Sequence, residues 1–335
     1  MFQEAAEAPA VVRAQLVANA PRLAPLVARL RAHAPRAVVT CARGSSDHAA
    51  TLARYLIETR LQVLTASLAP SVSSVYATAP HLEGALLLAI SQSGASPDLL
   101  AAVGGARKAG ARIVALVNAE ASPLAQLADE LLPLGAGHER SVAATKSYIA
   151  SLAAIVQLVA EWSADAGLRA ALATAPELLA RAWQRDWSAA VGALAPATNL
   201  FVIGRGLGLA VAQEAALKFK ETCGLHAEAL SAAELRHGPM ALVQAGFPLL
   251  VFTQDDETRT GVLELVRELT AQGARVLLAG ADAPGVTVLP SEAAHPVIEP
   301  LLLVQSFYRL ANELAIARGR DPDRPPHLNK VTETV

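Results

Sequence analysis

The chain contains only two cysteines, Cys41 and Cys223, among its 335 residues. Two cysteines this far apart exclude a disulfide framework and a zinc knuckle, and they fit a reducing cytoplasm. An excess of charge is also lacking, since 28 Lys and Arg residues stand against 30 Asp and Glu residues. A near-neutral chain without a basic block gives no indication of a nucleic acid or a membrane surface as a partner.

Long hydrophobic runs and a leader-like N-terminus are missing too. The longest uncharged apolar stretch, Ile149–Ala160, is interrupted by Ser151 and Gln157 and is too short to span a bilayer. The first residues carry acidic side chains where a signal peptide carries basic ones. With 53% apolar residues, the chain can still build a large core and is long enough for two domains.

Short apolar runs alternate with helix-forming segments along the chain. This alternation is typical of parallel β-sheets that are covered by helices on both faces. In the first half it predicts buried strands at Ala37–Cys41, Leu61–Ala66, Ala85–Ile90, Arg112–Val117 and Glu130–Leu134.

The second half of the chain repeats the first. Three pairs of segments align at offsets of 162, 162 and 163 residues, namely Ala37–Gly44 with Asn199–Gly206, Ala85–Gly94 with Phe247–Asp256, and Gly110–Leu116 with Gly273–Ala279. One offset held across three strands indicates a duplicated domain.

The sequence therefore predicts an α/β protein with two tandem domains. Each domain should be a parallel five-stranded sheet with helices on both faces. The expected divisions are an N-terminal helical segment at 1–34, a first domain at 35–165, a helical linker at 166–195, a second domain at 196–318 and a Pro-rich, extended C-terminal tail at 319–335.

Two serine-rich turns follow predicted strands of the first domain. One contains Ser91, Gln92, Ser93 and Ser96, and the other is Arg43-Gly44-Ser45-Ser46. Hydroxyls and backbone N–H groups at helix N-termini favour an anion such as phosphate, and ligands of open α/β sheets bind at this strand edge. The alternatives are an ordinary capping turn with Ser96 as the N-cap, and a structural salt bridge for Arg43.

The aligned turn of the second copy is Thr253-Gln254-Asp255-Asp256. Its two carboxylates would repel a phosphate, so only the first copy is expected to hold one.

A predicted helix at Leu209–Cys223 places Glu214, Lys218 and Glu221 on one face, apart from its apolar stripe. We expect this trio on the strand-end side of the second copy, where a cation one turn away would keep a carboxylate ready to act as a base. The alternative is a solvated Glu–Lys pair on the helix surface.

Two further residues are candidates for chemistry. His237 precedes Gly238-Pro239, a forced turn that would present its imidazole, although it could instead cap a helix end. Lys330 lies in the extended tail, where a lysine is usually solvated. No metal site is expected, because His226, Glu228 and His237 lack zinc-ligand spacing.

Taken together, these segments resemble the double-SIS (sugar isomerase) family. The similarity covers nearly the whole chain and is closest to the type II glucosamine-6-phosphate deaminases, with a related isomerase half in glucosamine-6-phosphate synthase. It is carried by SQSG at Ser91–Gly94, VAATK at Val142–Lys146, EAALKFKE at Glu214–Glu221, the segment His226–Leu242, and LNKVTE at Leu328–Glu333.

The resemblance implies a role for each matching residue. The sugar phosphate would be held by Ser45, Ser46, Ser91, Gln92, Ser93 and Ser96, with Arg43 beside them, and Val142 and Ala144 would contact sugar hydroxyls. Glu221 would move a proton between C1 and C2, supported by Lys218 and Glu214. His237 would open the sugar ring from a loop that reaches into the neighbouring subunit of a homodimer. Lys330 would close over the site, and in the synthases it forms an imine.

The same resemblance implies a phosphorylated amino sugar or ketose phosphate as substrate and no metal or redox cofactor. The synthase pattern Cys-Gly-Thr-Ser is here Arg43–Ser46, and Asn329 replaces a synthase Ala, which favours the deaminases. Met1 leads directly into the first copy without a nucleophilic cysteine, which favours them too. We therefore expect hydrolytic deamination of glucosamine 6-phosphate to fructose 6-phosphate and ammonia. The alternatives are ammonia-dependent synthesis, a fructosamine-phosphate deglycase and a non-catalytic sugar-phosphate sensor.

Overall fold

The computed structural model describes residues 1–78 and 80–330, and the chain forms two compact units. The first-copy unit comprises Ala10–Glu139, Lys146–Ala173 and the tail from Asn329. The second-copy unit comprises Met1–Pro9, Arg140–Thr145 and Thr174–Leu328. Each unit contains one β-sheet.

The described residues form the following elements in chain order. The helices are α1 (Phe2–Ala6), α2 (Ala8–Ala32), α3 (Ser45–Leu61), α4 (Pro70–Ser74), α5 (Pro97–Lys108), α6 (Pro123–Leu127), α7 (Lys146–Trp162), α8 (Ala166–Trp183), α9 (Ser188–Leu194), α10 (Gly208–Cys223), α11 (Arg259–Ala271) and α12 (Glu299–Ala317). The strands are β1 (Val38–Cys41), β2 (Thr65–Ser67), β3 (Leu86–Ser91), β4 (Arg112–Val117), β5 (Glu130–Pro133), β6 (Asn199–Gly204), β7 (His226–Ser231), β8 (Pro248–Phe252), β9 (Arg275–Ala279) and β10 (Thr287–Leu289).

Both sheets are parallel and have the same topology. The first runs in the order β2-β1-β3-β4-β5, and the second runs β7-β6-β8-β9-β10. Strands β1, β3 and β4 occupy the same places as β6, β8 and β9, which are the segments that the repeat aligns. The predicted fold class is confirmed, with five parallel strands in each copy.

The core of each unit follows from the composition of its strands. Every residue of β3 is buried, as a central strand covered on both faces requires. On one face of the first sheet, Leu87 and Ala115 belong to the same apolar cluster as Val103 and Ala106 of α5. Small alanine side chains in this cluster let the helix lie close to the strands.

One predicted strand is displaced along the chain. The sequence predicts a strand at Leu61–Ala66, but α3 continues to Leu61 and β2 begins only at Thr65. Gln62 ends the helix in the left-handed conformation, with a φ of 57°. The chain therefore has to turn before it can extend, and only a three-residue edge strand remains.

The segment expected to be a linker contains helices, and the segment expected to be an extended tail forms turns as far as Lys330. Helices α8 and α9 follow α7, and after α12 the chain to Lys330 forms turns without a further helix or strand. Within residues 1–78 and 80–330, no helix is both long enough and apolar enough to cross a bilayer.

Helix α10 ends at a position that requires glycine. Gly224 has a φ of +54°, and its N–H group bonds the carbonyl oxygen of Phe219. An added Cβ would also meet the guanidinium of Arg320. By contrast, Gly192 of α9 has no positive φ and has open space around it.

We predict that Gly224→Ala lowers the free energy of unfolding by about 1–2 kcal/mol, because an L side chain is strained in the left-handed region. Gly192→Ala should instead stabilise by up to about 1 kcal/mol, because alanine is the better helix former. Urea denaturation of both variants checks this, and equal midpoints for the two would contradict it.

Candidate functional site

The turn after β3 is tightly built against the end of β4. The Ser91 hydroxyl accepts the N–H of Gly94 at 3.0 Å, and the Gly94 carbonyl accepts the N–H of Leu124 at 3.1 Å. Gly94 has a φ of +62°, and a Cβ there would overlap the side chains of Ser122 and Val117. Only glycine fits this turn, which fixes the direction of the backbone leading to Ser96.

Two helix N-termini follow adjacent strands at this edge of the sheet. Helix α3 follows β1 and helix α5 follows β3, and these two strands are paired. Neither N-cap residue, Gly44 nor Ser96, makes a capping hydrogen bond through a side chain. Ser96 occupies the N-cap position, but its hydroxyl accepts no hydrogen bond from a backbone N–H group of α5. Hydroxyls beside two helix N-termini are suited to an anion.

Arg43 is held in an ion pair with a residue of the other turn. Its Nη2 and Nε atoms lie 2.6 and 2.9 Å from Oδ2 of Asp98, whose side chain is only 1% exposed. Arg43 therefore forms a structural salt bridge, which was the alternative to a phosphate contact. The pair joins the turn after β1 to the first turn of α5, and it balances a buried carboxylate next to the candidate phosphate residues.

Both carboxylates of the corresponding turn in the second copy have partners nearby in the chain. A carboxylate oxygen of Asp256 accepts the N–H of Thr258 at 2.9 Å, directly before α11. Oδ1 of Asp255 lies 3.1 Å from the guanidinium of Arg259. Carboxylates thus occupy the place where an anion would bind, as the sequence comparison of the two copies predicts.

The trio on α10 is buried. The Lys218 side chain is 0% exposed, and its Nζ atom lies 3.2 Å from Glu214 and 2.6 Å from Glu221. Tyr308 of α12 donates a hydrogen bond to Glu214 at 3.0 Å. Glu214 is also fully buried, whereas the Glu221 side chain is 20% exposed. The alternative of a solvated pair is therefore wrong, and Glu221 is the member of the trio that opens to solvent.

The charge of Lys218 is set by its two carboxylate neighbours. Burial by itself would lower the pKa of this lysine, but Glu214 and Glu221 outweigh burial and hold the pKa above its ordinary value. The ammonium group is therefore charged throughout the neutral pH range.

Glu221 lies at the opposite strand edge from the one expected. Helix α10 starts after β6 and runs back along the sheet, so its last turn returns to the amino ends of the strands. Arg318 bonds both the carbonyl of Cys223 and the carbonyl of Ala197, which directly precedes β6. The expectation of a strand-end position for Glu221 is wrong, because a helix that follows a strand reverses direction before its C-terminus.

His237 lies at the other edge of the same sheet. It ends a 3₁₀ turn at Glu234–His237 that follows the carboxyl end of β7, and the next residue, Gly238, has a φ of +136°. The imidazole is exposed, as the forced turn predicts. The six residues of β7 extend over about 20 Å, and His237 and the end of α10 that carries Glu221 lie toward opposite ends of the sheet.

The remaining candidates are divided between the units. Val142 and Ala144 belong to the second-copy unit and are partly exposed, between buried neighbours. Lys330 belongs to the first-copy unit, where its Nζ atom lies 3.0 Å from Glu139.

Sequence reasoning missed three polar residues of these sites. They are Asp98, Glu139 and Tyr308. Asp98 lies inside the serine-rich turn and Glu139 three residues before Val142, so proximity to a motif was an available signal. Nothing in the sequence marks Tyr308, which meets Glu214 only through the packing of α12 on α10.

Both cysteine side chains, Cys41 and Cys223, are free and buried. Burial raises the pKa of Cys41 to about 12 and that of Cys223 to about 11. Among residues 1–78 and 80–330, no group of three or more His, Cys, Asp or Glu side chains is placed to hold a metal ion.

Comparison with known proteins gives a consistent family match. The SIS domain family matches residues 32–161 and 193–285. A glutamine–fructose-6-phosphate aminotransferase (isomerizing) from Aeropyrum pernix is 36% identical over 356 aligned positions, which cover 100% of this chain and 54% of the relative. The chain thus spans about half the length of the curated relatives that it matches.

Solved structures agree with this match. One is a phosphosugar isomerase, by its name, from Silicibacter pomeroyi DSS-3, with 44% sequence identity and a TM-score of 0.92. The match covers 96% of this chain and 99% of that structure's chain. The C-terminal domain of glucosamine-fructose-6-phosphate aminotransferase from Francisella tularensis is 25% identical with a TM-score of 0.89, covering 97% and 98%.

We predict that Ser93→Ala weakens the binding of fructose 6-phosphate about tenfold, because a hydrogen bond to a charged group is lost. The matched change Asp255→Ala, at the aligned position of the second copy, should leave the affinity unchanged. Isothermal titration calorimetry measures both dissociation constants. Tighter binding in Asp255→Ala together with an unchanged affinity in Ser93→Ala would show that the phosphate binds in the second copy.

Proposed function

Because the chain belongs to the SIS domain family, we propose that it is an enzyme that converts glucosamine 6-phosphate into fructose 6-phosphate and ammonia. The observation that carries this proposal is the arrangement on α10. Glu221 is a carboxylate that opens to solvent while bonded to a fully buried ammonium group. Such a carboxylate is placed to accept a proton from a bound substrate and return it.

The first-copy turns supply binding in this proposal. The phosphate would be held by the hydroxyls of Ser45, Ser46, Ser91, Ser93 and Ser96 together with the Gln92 side chain and the N-termini of α3 and α5. Arg43, paired with Asp98, would stiffen these turns in addition to any contact with the phosphate. Val142 and Ala144 would contact the sugar hydroxyls.

The chemistry requires one proton to move between adjacent carbons. In the open-chain sugar, Glu221 removes the proton from C2, the electron pair of that bond forms the C1–C2 double bond of an enolamine, and the C1 oxygen takes up a proton from water. Return of the proton to C1 gives an imine at C2. Water adds to this carbon, the C–N bond breaks, and ammonia leaves with fructose 6-phosphate as the other product. Lys218 and Glu214 keep Glu221 fixed and its charge balanced.

The two cysteines bear on the source of ammonia. Releasing ammonia from glutamine needs a reactive thiolate, and both thiols of this chain are buried with strongly raised pKa values. This favours a reaction that exchanges free ammonia with water over one in which this chain draws ammonia from an amide. Buried free thiols also suit a reducing compartment, and we place the protein in the cytoplasm.

Synthesis in the reverse direction is the second candidate. Its support is the name of the curated relatives, which are aminotransferases that use fructose 6-phosphate. Deamination predicts ammonia release from glucosamine 6-phosphate, whereas synthesis predicts its consumption with fructose 6-phosphate. Both reactions are assayed alongside phosphorylated fructosamines. If the protein turns over none of these compounds, a non-catalytic sensor is favoured.

The separation of His237 from Glu221 supports a homodimer with sites at the subunit interface. In one second-copy unit, the imidazole and the Glu221 carboxylate lie toward opposite ends of the sheet, which favours a site completed by a second subunit. We propose that His237 acts in the site of the neighbouring subunit.

Glu221→Gln should lower deaminase turnover by about 10²- to 10⁴-fold, because it removes the base and keeps the shape. Exchange of the C2 proton in deuterated water should fall by a similar factor, while fructose 6-phosphate still binds. Glu228→Gln, a change at an exposed glutamate of β7, is the matched control and should keep wild-type rates. Near-normal turnover and exchange in Glu221→Gln would mean that another group carries the proton.

Mixing subunits tests the placement of His237. Heterodimers of Glu221→Gln and His237→Ala subunits should regain part of the activity, because one of the two hybrid sites keeps both groups. Activity is measured on heterodimers purified with two different affinity tags. Heterodimers as inactive as either parent would put His237 in the site of its own subunit.

A further inference from the structure

Lys330 is joined to a buried carboxylate that none of the motifs includes. Its Nζ atom lies 3.0 Å from Oε2 of Glu139. The Glu139 side chain is 0% exposed, whereas that of Lys330 is 25% exposed. The tail lysine therefore reaches from the surface to a charge that is completely shielded from water.

Glu139 is held in place from the other side by the start of α7. The Ser147 hydroxyl donates to Oε2 at 2.7 Å, and the Ser147 N–H donates to Oε1 at 3.3 Å. Lys146 bonds the carbonyl of His138 at 2.9 Å and fixes the residue before Glu139. Helix α7 is buried along almost all of its length, so the carboxylate is attached to an immobile part of the core.

The segment before Glu139 is tied to the strand edge that carries the serine-rich turns. The Asn118 side chain donates to the carbonyl of Gly137 at 2.8 Å and accepts the N–H of Ala136 at 2.7 Å. The Asn118 N–H bonds the carbonyl of Ser91 at 3.3 Å. A continuous set of hydrogen bonds thus connects the first serine of the candidate phosphate turn with the segment that leads to Glu139.

We propose that Glu139 is a positioning residue that anchors the tail by binding Lys330 at the carboxyl edge of the first sheet. The proposal rests on the proposed function, in which Lys330 closes over the bound sugar phosphate. Lys330 supplies a positive charge to this buried carboxylate, so the ion pair favours the anchored tail. Glu139 acts through the lysine and needs no contact with the substrate.

Chemical labelling of lysines tests the anchor without reference to activity. The full-length protein is acetylated with an N-hydroxysuccinimide ester, and the labelling rate of each lysine is followed by peptide mass spectrometry. Exposed Lys108 is the internal reference, and the chain has only five lysines to resolve. Glu139→Gln should raise the rate at Lys330 about tenfold relative to Lys108, because a charge-assisted hydrogen bond is lost.

Ser147→Ala is the matched control. It removes a hydrogen bond to the same carboxylate and leaves the charge that binds the lysine. Labelling of Lys330 should therefore rise far less than in Glu139→Gln. Equal rises would mean that any disturbance at the start of α7 frees the tail, and they would overturn the proposal. Should Glu139→Gln fail to fold, Glu139→Asp keeps the charge but shortens its reach, and faster labelling of Lys330 is again expected.

Kinetics separate this proposal from the proposed function. In a Lys330→Ala background, Glu139→Gln should cause no further loss of kcat/KM, whereas alone it should lower kcat/KM. Unchanged labelling of Lys330 in both Glu139 variants refutes the anchor, whatever the activity. Faster labelling in a protein that turns over no phosphorylated sugar supports the anchor and refutes the proposed function instead.

Discussion

The Lys218 ammonium group has no access to water, and this buried charge dictates much of what surrounds it. An unpaired buried ion would destabilise the fold strongly, so α10 supplies a carboxylate one turn before the lysine and another one turn after it. Glu214 is itself buried and accepts a hydrogen bond from Tyr308, which links α10 to α12 at this point. Only Glu221 opens to solvent, so the electrostatic requirement of the core selects the residue that can meet a substrate.

The two copies show how one topology supports two kinds of strand edge. Their sheets have the same order and direction, and the difference lies in a few side chains after β3 and β8. In the first copy, the hydroxyls of Ser91, Ser93 and Ser96 stand at the end of β3 and in the turn after it, where buried Asp98 is paired with Arg43. In the second copy, Asp255 and Asp256 follow β8, and Asp256 accepts the N–H of Thr258 directly before α11. The two copies therefore share their topology and differ in the side chains that follow the aligned strands.

The sequence allowed the sheets, their direction and the duplication to be predicted, because buried parallel strands leave apolar runs that periodic comparison detects. The start of β2 could not be placed, since the left-handed Gln62 carries no sequence marker. Lys218 is completely buried, which distinguishes a buried trio from a solvated Glu–Lys pair on the helix surface. The spacing of residues along a helix does not by itself predict which face is buried. The partner of Arg43 lies 55 residues away along the chain, so the ion pair emerges only when strands β1 and β3 come together.

The turn after β8 also limits how the second copy can change over evolutionary time. Replacing Asp256 alone would leave Asp255 paired with Arg259, and replacing Asp255 alone would leave the start of α11 capped. An anion could bind at this edge only after both acids had been replaced, because either one alone would leave a carboxylate at the turn. Phosphate binding by the second copy would therefore require two substitutions together.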